Sequence, residues 1–413
     1  MFSNMLRTLG VRIMTALISL LVVVLSGREL GAEVLGSVSL MIVAITIINL
    51  VGGLAGGAAL VYLMPRHEGK ALIPVSQLWA IISGLVTAAV LYLMSAFPPE
   101  LVFHVFVLGI IGSLIQNYMS VILVHQRIKW HNAITLLQSV LMITVLFVLA
   151  YVLKIKSIEA YVWAMYAAYL PVLIITALIC RNIQPAGQGK PAEIFRILFG
   201  YGSLVQISSI LALLTYRLTY YYTEAWLGLA ALGILSVAAQ ISEAIWIIPK
   251  SIALVQFSKI SNLKNEGESA HLTIFLGVAT TIITLVALVV LVLIPDKAYT
   301  WIFGHEFSNL RPIIQLFVPG IFAISLNIIL SHFFSGTGKI LFNLAGSGLG
   351  LIAVAIAGYM MIKEGDITSA ALVSSIGYVV NFLFSWVAFL WASRRHVLSV
   401  QKGYRIFIRE KML

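Results

Sequence analysis

The sequence has few cysteines and few charged residues, which are the residues that cross-link and solvate a globular protein. Its 413 residues include one cysteine, Cys180, so no intrachain disulfide can form, and no Cys/His cluster suggests a metal site. Only 10% of the residues are charged, whereas 61% are hydrophobic. A soluble fold could not bury that much apolar surface. The composition therefore excludes a soluble protein and predicts an all-α polytopic membrane protein. No cofactor is expected.

The chain has long apolar runs separated by short polar breaks. Twelve runs are long enough to cross a hydrocarbon core of about 30 Å as helices that rise 1.5 Å per residue. The predicted spans are 11–27, 36–64, 73–97, 101–124, 133–153, 160–180, 203–222, 228–249, 272–294, 313–334, 340–362 and 367–392. The sequence thus predicts two six-helix halves, residues 1–193 and residues 194–413, of which the second ends in a basic tail.

Lys and Arg are distributed unevenly between the two sides of the predicted spans. Of the 26, nineteen lie on the side of the N-terminus, six lie on the opposite side, and Arg217 lies within a span. Because cytoplasmic loops carry the excess of Lys and Arg, both termini are predicted to be cytoplasmic. This asymmetry explains much of the net charge of +11, so nucleic-acid binding is not implied. The basic tail is expected to contact anionic lipid.

The two halves share a short internal repeat. Residues 30–39, LGAEVLGSVS, align without a gap on residues 227–236, LGLAALGILS, with identity at five of ten positions. A weaker similarity relates the residues before His125 to those before His332. A repeat of six spans preserves orientation, so it predicts two bundles arranged as parallel repeats around a central cavity. Transporters built this way rock one bundle against the other.

Arg217 and Glu243 are interpreted as the only ionisable residues inside apolar spans. A charge at that depth costs about 3 kcal/mol, so each needs a partner, a wet cavity or a route to the interface. Arg217 either lines a cavity or snorkels to aromatic residues at the outer end of its span. Glu243 is either a proton or sodium site or a neutral acid bonded to another span. In a hairpin centred near Ala225 the two lie about 15 Å apart along the axis, so no direct salt bridge is predicted.

On the seventh and eighth spans, polar side chains recur at helical spacing and form a stripe with Arg217 on one span and with Glu243 on the other. Such side chains either line a substrate path or cross-link helices. For the histidines the alternatives are a diphosphate contact or a solvated span end, and for Arg12 they are a ligand or a topology anchor. The candidates for the substrate path are Arg217, Gln206, Tyr220, Gln240, Asn117, His125, His332 and Arg12, and Glu243 is the candidate for ion coupling.

Three segments carry a family resemblance. They are GRELGAEVLGSVSL, TYRLTYYYTEAWLGLAALGILSVAAQISEAIWIIPKSIALVQFSKIS and WIFGHEFSNLRPIIQLFVPG. These segments resemble the polysaccharide flippases of the MATE-like MOP exporter superfamily. The resemblance, which covers essentially the whole chain, implies movement of an undecaprenyl-diphosphate-linked oligosaccharide, an O-antigen or exopolysaccharide unit, to the outer leaflet of the bacterial inner membrane. It also implies coupling to protons or sodium ions. In that family the seventh span often reads Arg-x-Asp, which falls here on Arg217 and Thr219, so the acid is a threonine.

Two other functions are compatible with the sequence. A cation-coupled multidrug exporter of the same superfamily would place carboxylates in its cavity, where Glu243 is the candidate. A membrane-embedded glycan polymerase or ligase would need catalytic groups on an outer loop, and residues 295–311 offer Asp296, His305 and Glu306 on a short segment. The preferred expectation is a monomeric flippase, not an enzyme, whose partners are membrane lipids and a lipid-linked anionic glycan.

Overall fold

The computed structural model describes residues 2–66, 72–181, 190–260, 263 and 266–411, and every regular element in this part of the chain is helical. The side chains of the basic tail from Arg394 onward lie outside the described set. The α-helices are α1 Phe2–Gly52, α2 Gly57–Leu63, α3 Leu72–Leu93, α4 Val102–Val124, α5 Ile128–Phe147, α6 Ile158–Arg181, α7 Pro191–Leu227, α8 Leu229–Glu243, α9 Ile247–Ile260, α10 Glu266–Leu293, α11 Asp296–Phe303, α12 Leu310–Gly336, α13 Ile340–Met361 and α14 Ile367–Lys411.

The described helices account for twelve membrane spans. Ten helical stretches are long and apolar enough to cross a membrane, and α7, bent by 46°, adds an eleventh. One of the ten, Gly10–Leu63, has 54 residues, which is about 80 Å of helix and more than twice the hydrocarbon thickness. Gly31 interrupts this stretch with φ 85° and ψ 173°, so it holds two spans. The predicted all-α polytopic architecture is confirmed.

The eighth span is longer than the predicted range, which ends at residue 249. Helix α8 continues through a 3-10 turn, Ala244–Trp246, into α9, and the apolar stretch reaches from Leu229 to Phe257. A proline usually indicates the end of a helix. Pro249, however, lies in the first turn of α9, where backbone N–H groups have no acceptor within the helix, so the N–H that proline lacks breaks no hydrogen bond. Lys250 therefore lies on the same apolar helical stretch, one residue beyond the predicted end of the span. The interpretation of Arg217 and Glu243 as the only ionisable residues within spans stays a prediction.

The internal repeat is visible in the backbone conformation. Gly31 has φ 85° and ψ 173°, and Gly228, its aligned partner, has φ 86° and ψ 172°. Each of these glycines follows a leucine and separates two helical segments. Because L side chains rarely adopt such positive φ values, both copies require glycine at this position. The equal dihedral angles support the repeat independently of the sequence match.

The two copies of the repeat also contact each other reciprocally. Gly36 lies against the carbonyl oxygen of Leu229, and Gly233 lies against that of Ala32, so closely that a Cβ atom on either glycine would overlap the oxygen. Ala32 aligns with Leu229, and Gly36 aligns with Gly233. The contact is therefore of the isologous kind that a two-fold axis generates. Small residues allow membrane helices to approach this closely.

The chain forms two compact units that interleave along the sequence. The first comprises Met1–Leu213, Tyr220–Val237 and Asp296–Leu310, and the second comprises Leu214–Thr219, Ala238–Pro295 and Arg311–Leu413. These units do not follow the boundary between residues 193 and 194, because the repeat contact ties the start of α8 to α1. The division into two six-helix halves concerns the repeat and stays a prediction.

Each unit has its own apolar core. In the first unit, fully buried residues such as Leu60 and Ile122 pack with Val172. In the second unit, Phe333 and Phe389 are buried together with their rings 4.9 Å apart. Many large apolar side chains on the same helices are exposed, notably along α10, as expected where lipid covers the surface.

Candidate functional site

Arg217 of α7 and Glu243 of α8 form a bidentate ion pair within the second unit. Nη1 of Arg217 donates to Oε1 of Glu243 at 2.6 Å, and Nη2 donates to Oε2 at 2.7 Å. The two side chains are only 18% and 12% exposed. Two parallel bonds between a planar guanidinium and a carboxylate make one of the strongest charged contacts available to a protein. This geometry allows both charges to reside inside spans.

The ion pair contradicts the prediction that the two side chains lie too far apart. The hairpin turns at Gly228 rather than near Ala225. Moving the turn by three residues makes one arm of the hairpin three residues longer and the other three residues shorter. The expected offset between Arg217 and Glu243 therefore changes by six residues. Measured from Gly228, Arg217 and Glu243 differ by about four residues, or about 6 Å along the axis, which an arginine side chain spans. The pairing also disagrees with the snorkelling interpretation, in which Arg217 extends to the outer interface.

Three aromatic rings pack against one another in the same unit. The ring of Tyr216 lies 5.4 Å from that of Trp246 and 5.2 Å from that of Tyr378, and the last two are 5.9 Å apart. Trp246 belongs to the 3-10 turn that follows Glu243. Among the described residues its buried Nε1–H has no hydrogen-bond partner, which costs about 1–3 kcal/mol. A 3-10 turn in the middle of a span often marks a functional position.

Lys250 is a further cation of the site that the sequence pattern did not predict. Its Nζ atom lies 5.1 Å from the ring centre of Trp246, which is a cation–π contact. Lys250 is also close enough to Glu243 and Arg217 to interact with both electrostatically. Arg217 and Glu243 neutralise each other, so Lys250 supplies the remaining positive charge of this cluster. The signal missed in the sequence was the position of Pro249, which permits the helix to continue.

Thr219 occupies the position at which the resembling family often has an aspartate. It is fully buried, and its Oγ1 lies 3.0 Å from Oγ of Ser374. A neutral hydroxyl pair therefore replaces the acid, and the carboxylate that accompanies Arg217 comes from α8 instead of α7.

Asn117 and Gln206 contact a break in the second span, within the first unit. The break consists of the 3-10 turn Gly53–Ala55 before α2. Asn117 is 1% exposed, accepts the N–H of Gly57 at 3.0 Å and donates to the carbonyl of Ser76 at 3.2 Å. The buried amide of Gln206 lies against the same turn. Asn117 thus stabilises irregular backbone through hydrogen bonds, whereas Gln206 packs against it. The part of both residues in a substrate path stays a prediction.

The two histidines predicted from the weaker repeat share a local geometry. Nδ1 of His125 lies 3.0 Å from the carbonyl oxygen of Val121, and Nδ1 of His332 lies 2.8 Å from that of Ile328. A carbonyl oxygen only accepts, so Nδ1 carries the proton and Nε2 of the neutral ring can accept another hydrogen bond. Of the other candidates, Tyr220 is buried, Gln240 is partly buried and Arg12 is exposed.

Glu306 has a structural role that the sequence pattern did not predict. Its carboxylate accepts the backbone N–H of Ala32 at 2.7 Å, directly after the break at Gly31. It therefore caps the segment of α1 that begins there, since a new helical segment starts with unpaired N–H groups. Within the described residues, no group of three or more His, Cys, Asp or Glu side chains could hold a metal ion.

No protein-family model matches the chain, and no curated protein matches its sequence. Solved structures do match. An inward-facing multidrug resistance MATE family transporter of the MOP superfamily gives a TM-score of 0.70 at 15% identity, over 95% of this chain and 98% of that one. Lipid II flippase MurJ, in an inward closed conformation, gives 0.71 at 14% identity, over 93% and 86%. A MATE transporter from Vibrio cholerae gives 0.63 at 15%, over 95% and 94%. The chain thus has the fold of these transporters.

Proposed function

We propose that the protein is a flippase that moves an undecaprenyl-diphosphate-linked oligosaccharide from the cytoplasmic to the outer leaflet of the bacterial inner membrane. The proposal is supported by the fold shared with a lipid II flippase and by the resemblance of three segments to polysaccharide flippases. It places both termini in the cytoplasm and treats the protein as a monomer. The substrate is an anionic lipid-linked glycan, either O-antigen or exopolysaccharide.

The bidentate pair of Arg217 and Glu243 is the observation that carries this proposal. A guanidinium that binds a carboxylate through two parallel bonds can bind a phosphate oxygen pair in the same way. In the proposed cycle the diphosphate of the substrate replaces Glu243 on Arg217. Glu243 then takes a proton or a sodium ion, because an unpaired carboxylate inside a span is costly. Substrate and counter-ion are thereby coupled through one pair of side chains.

Two other functions are weakened by the same contacts. A binding site for cationic drugs needs an excess of negative charge, whereas the cluster of Arg217, Glu243 and Lys250 carries a net positive charge. A glycan polymerase or ligase would need catalytic groups on residues 295–311, where Glu306 is engaged in capping α1. Export of cationic dyes without any glycan movement would replace the flippase proposal with a multidrug exporter.

The test is flipping of a fluorescent undecaprenyl-diphosphate oligosaccharide in vesicles that contain the purified protein. Arg217→Ala should abolish flipping, and Arg217→Lys should reduce it strongly, because lysine cannot form two parallel bonds. Glu243→Gln should remove the dependence on the ion gradient. Arg196→Ala, which changes an exposed arginine on the same helix, is the matched control and should behave as wild type. Wild-type flipping by Arg217→Ala would contradict the proposal.

A further inference from the structure

We infer that Lys250 and the indole N–H of Trp246 form a subsite that binds the phosphate or diphosphate group of the substrate before Arg217 does. The inference rests on the proposed function for the identity of the substrate, a lipid-linked diphosphate. The subsite itself follows from the charge, the unsatisfied donor and the position of these two residues in the eighth span.

Charge balance distinguishes Lys250 from Arg217. Both oxygens of Glu243 are engaged by the two terminal nitrogens of Arg217, so that pair presents little net charge to a ligand. Among the described residues Lys250 has no carboxylate at ion-pair distance, and its contact is the ring of Trp246. Lys250 is exposed, so an anionic ligand can reach its ammonium group.

Trp246 contributes an oriented donor. The ring is 5% exposed, and Tyr216 and Tyr378 pack against it, which fixes its orientation. Its N–H lacks a partner among the described residues, although a buried indole usually finds one. A phosphate oxygen is a strong acceptor for such a group. The face of the ring contacts the ammonium group of Lys250. In the proposed subsite the N–H of Trp246 donates to the anion that Lys250 binds.

The depth of Lys250 in the membrane agrees with a contact to the substrate that precedes the contact with Arg217. Counted from the turn at Gly228, Glu243 lies about 22 Å and Lys250 about 33 Å along the helix axis. The hydrocarbon core is about 30 Å thick, so Lys250 lies near the interface opposite the turn. Under the predicted topology that interface is cytoplasmic, which is the side from which export starts. An entering headgroup reaches Lys250 about 10 Å before it reaches the depth of Glu243.

The experiment measures binding of farnesyl diphosphate, inorganic pyrophosphate and farnesol to the purified full-length protein in detergent. We expect farnesyl diphosphate to bind the wild type much more tightly than farnesol. Lys250→Gln should weaken that binding about tenfold or more, and Trp246→Phe, which keeps the ring but removes the N–H, about threefold or more. Lys250→Arg keeps the charge and should retain most of the affinity. Lys259→Gln is the matched control, because Lys259 lies on the same helix, nine residues on, and faces the opposite side.

The three probes separate the two sources of phosphate. Pyrophosphate binding with the same dependence on Lys250 would assign recognition to the phosphate groups, and binding of farnesyl diphosphate alone would assign it to the lipid-linked form. Both outcomes retain the subsite. Equal affinity of the wild type and Lys250→Gln, or no affinity of the wild type for farnesyl diphosphate, would overturn it. Lys250-dependent binding in a protein that flips no glycan would retain the subsite and reject the flippase function.

Discussion

A guanidinium and a carboxylate inside a membrane span behave differently together and apart. Together, Arg217 and Glu243 are close to neutral, and each carboxylate oxygen of Glu243 accepts one N–H of the guanidinium. Apart, each is a charge without water, which must find another partner or lose its charge. A transport cycle that separates the pair therefore requires a ligand for each member. The proposed ligands are a phosphate for Arg217 and a proton or sodium ion for Glu243.

The coupling between these two residues can be measured on stability. Arg217→Ala and Glu243→Ala should each lower the free energy of unfolding by about 3 kcal/mol, because each leaves an uncompensated charge. The double variant should lose clearly less than the sum. Arg196→Ala combined with Glu243→Ala provides the control, since residues that do not interact give additive effects. The measurement is unfolding of the purified variants in one detergent. Additive losses for Arg217 and Glu243 would show that the pair does not form.

The sequence singled out Arg217 and Glu243 as candidates but did not predict their contact. Arg217 and Glu243 were recognisable because charges within apolar runs are expensive. Their contact was not, because it depends on a turn located to within a few residues, and the positive φ at Gly228 sets that turn. Lys250 was missed for a related reason. Proline after an apolar run usually ends a helix, but Pro249 falls in the first turn of the next one.

At the scale of elements, the second and eighth spans share an interruption. Each contains a 3-10 turn, at Gly53–Ala55 and at Ala244–Trp246. Asn117, on another helix, stabilises the first turn. The second turn directly follows Glu243 of the ion pair and ends at Trp246. Sequence patterns predict such spans as continuous helices, because the groups that stabilise the break come from distant parts of the chain. The glycine repeat, in contrast, could be predicted from local sequence.

The reciprocal contact between the two copies of the repeat gives a prediction about helix packing. Gly36→Ala and Gly233→Ala each place a Cβ atom onto a backbone carbonyl oxygen of the other copy. We expect each to lower the free energy of unfolding by about 1–3 kcal/mol, because the helices must move apart. Gly277→Ala in α10 is the control, since no atom lies within 4 Å of its Cβ position. Alanine favours a helix over glycine, so this control should be neutral or stabilising. Similar melting temperatures for all three variants would contradict the reciprocal contact between the two copies.

For the whole molecule, the orientation of the spans connects the fold to transport. Twelve spans place both termini on one side, and the excess of Lys and Arg predicts that this side is cytoplasmic. The same orientation gives Lys250 its proposed part in loading. The single cysteine makes the topology measurable. Cys180 is fully buried in the apolar core of the first unit, and its Sγ–H points at the carbonyl of Tyr118, at 3.7 Å.

A Cys180→Ala background should support labelling of single introduced cysteines by a membrane-impermeant maleimide. Lys154→Cys and Glu364→Cys are predicted to face outward, and Lys129→Cys and Lys259→Cys to face the cytoplasm; all four positions are exposed. The outer pair should react in intact spheroplasts, and the inner pair only after permeabilisation. Reaction of the inner pair alone would reverse the orientation. A difference between Lys154→Cys and Glu364→Cys would reject the parallel repeat, because that repeat requires both halves to cross the membrane in the same sense.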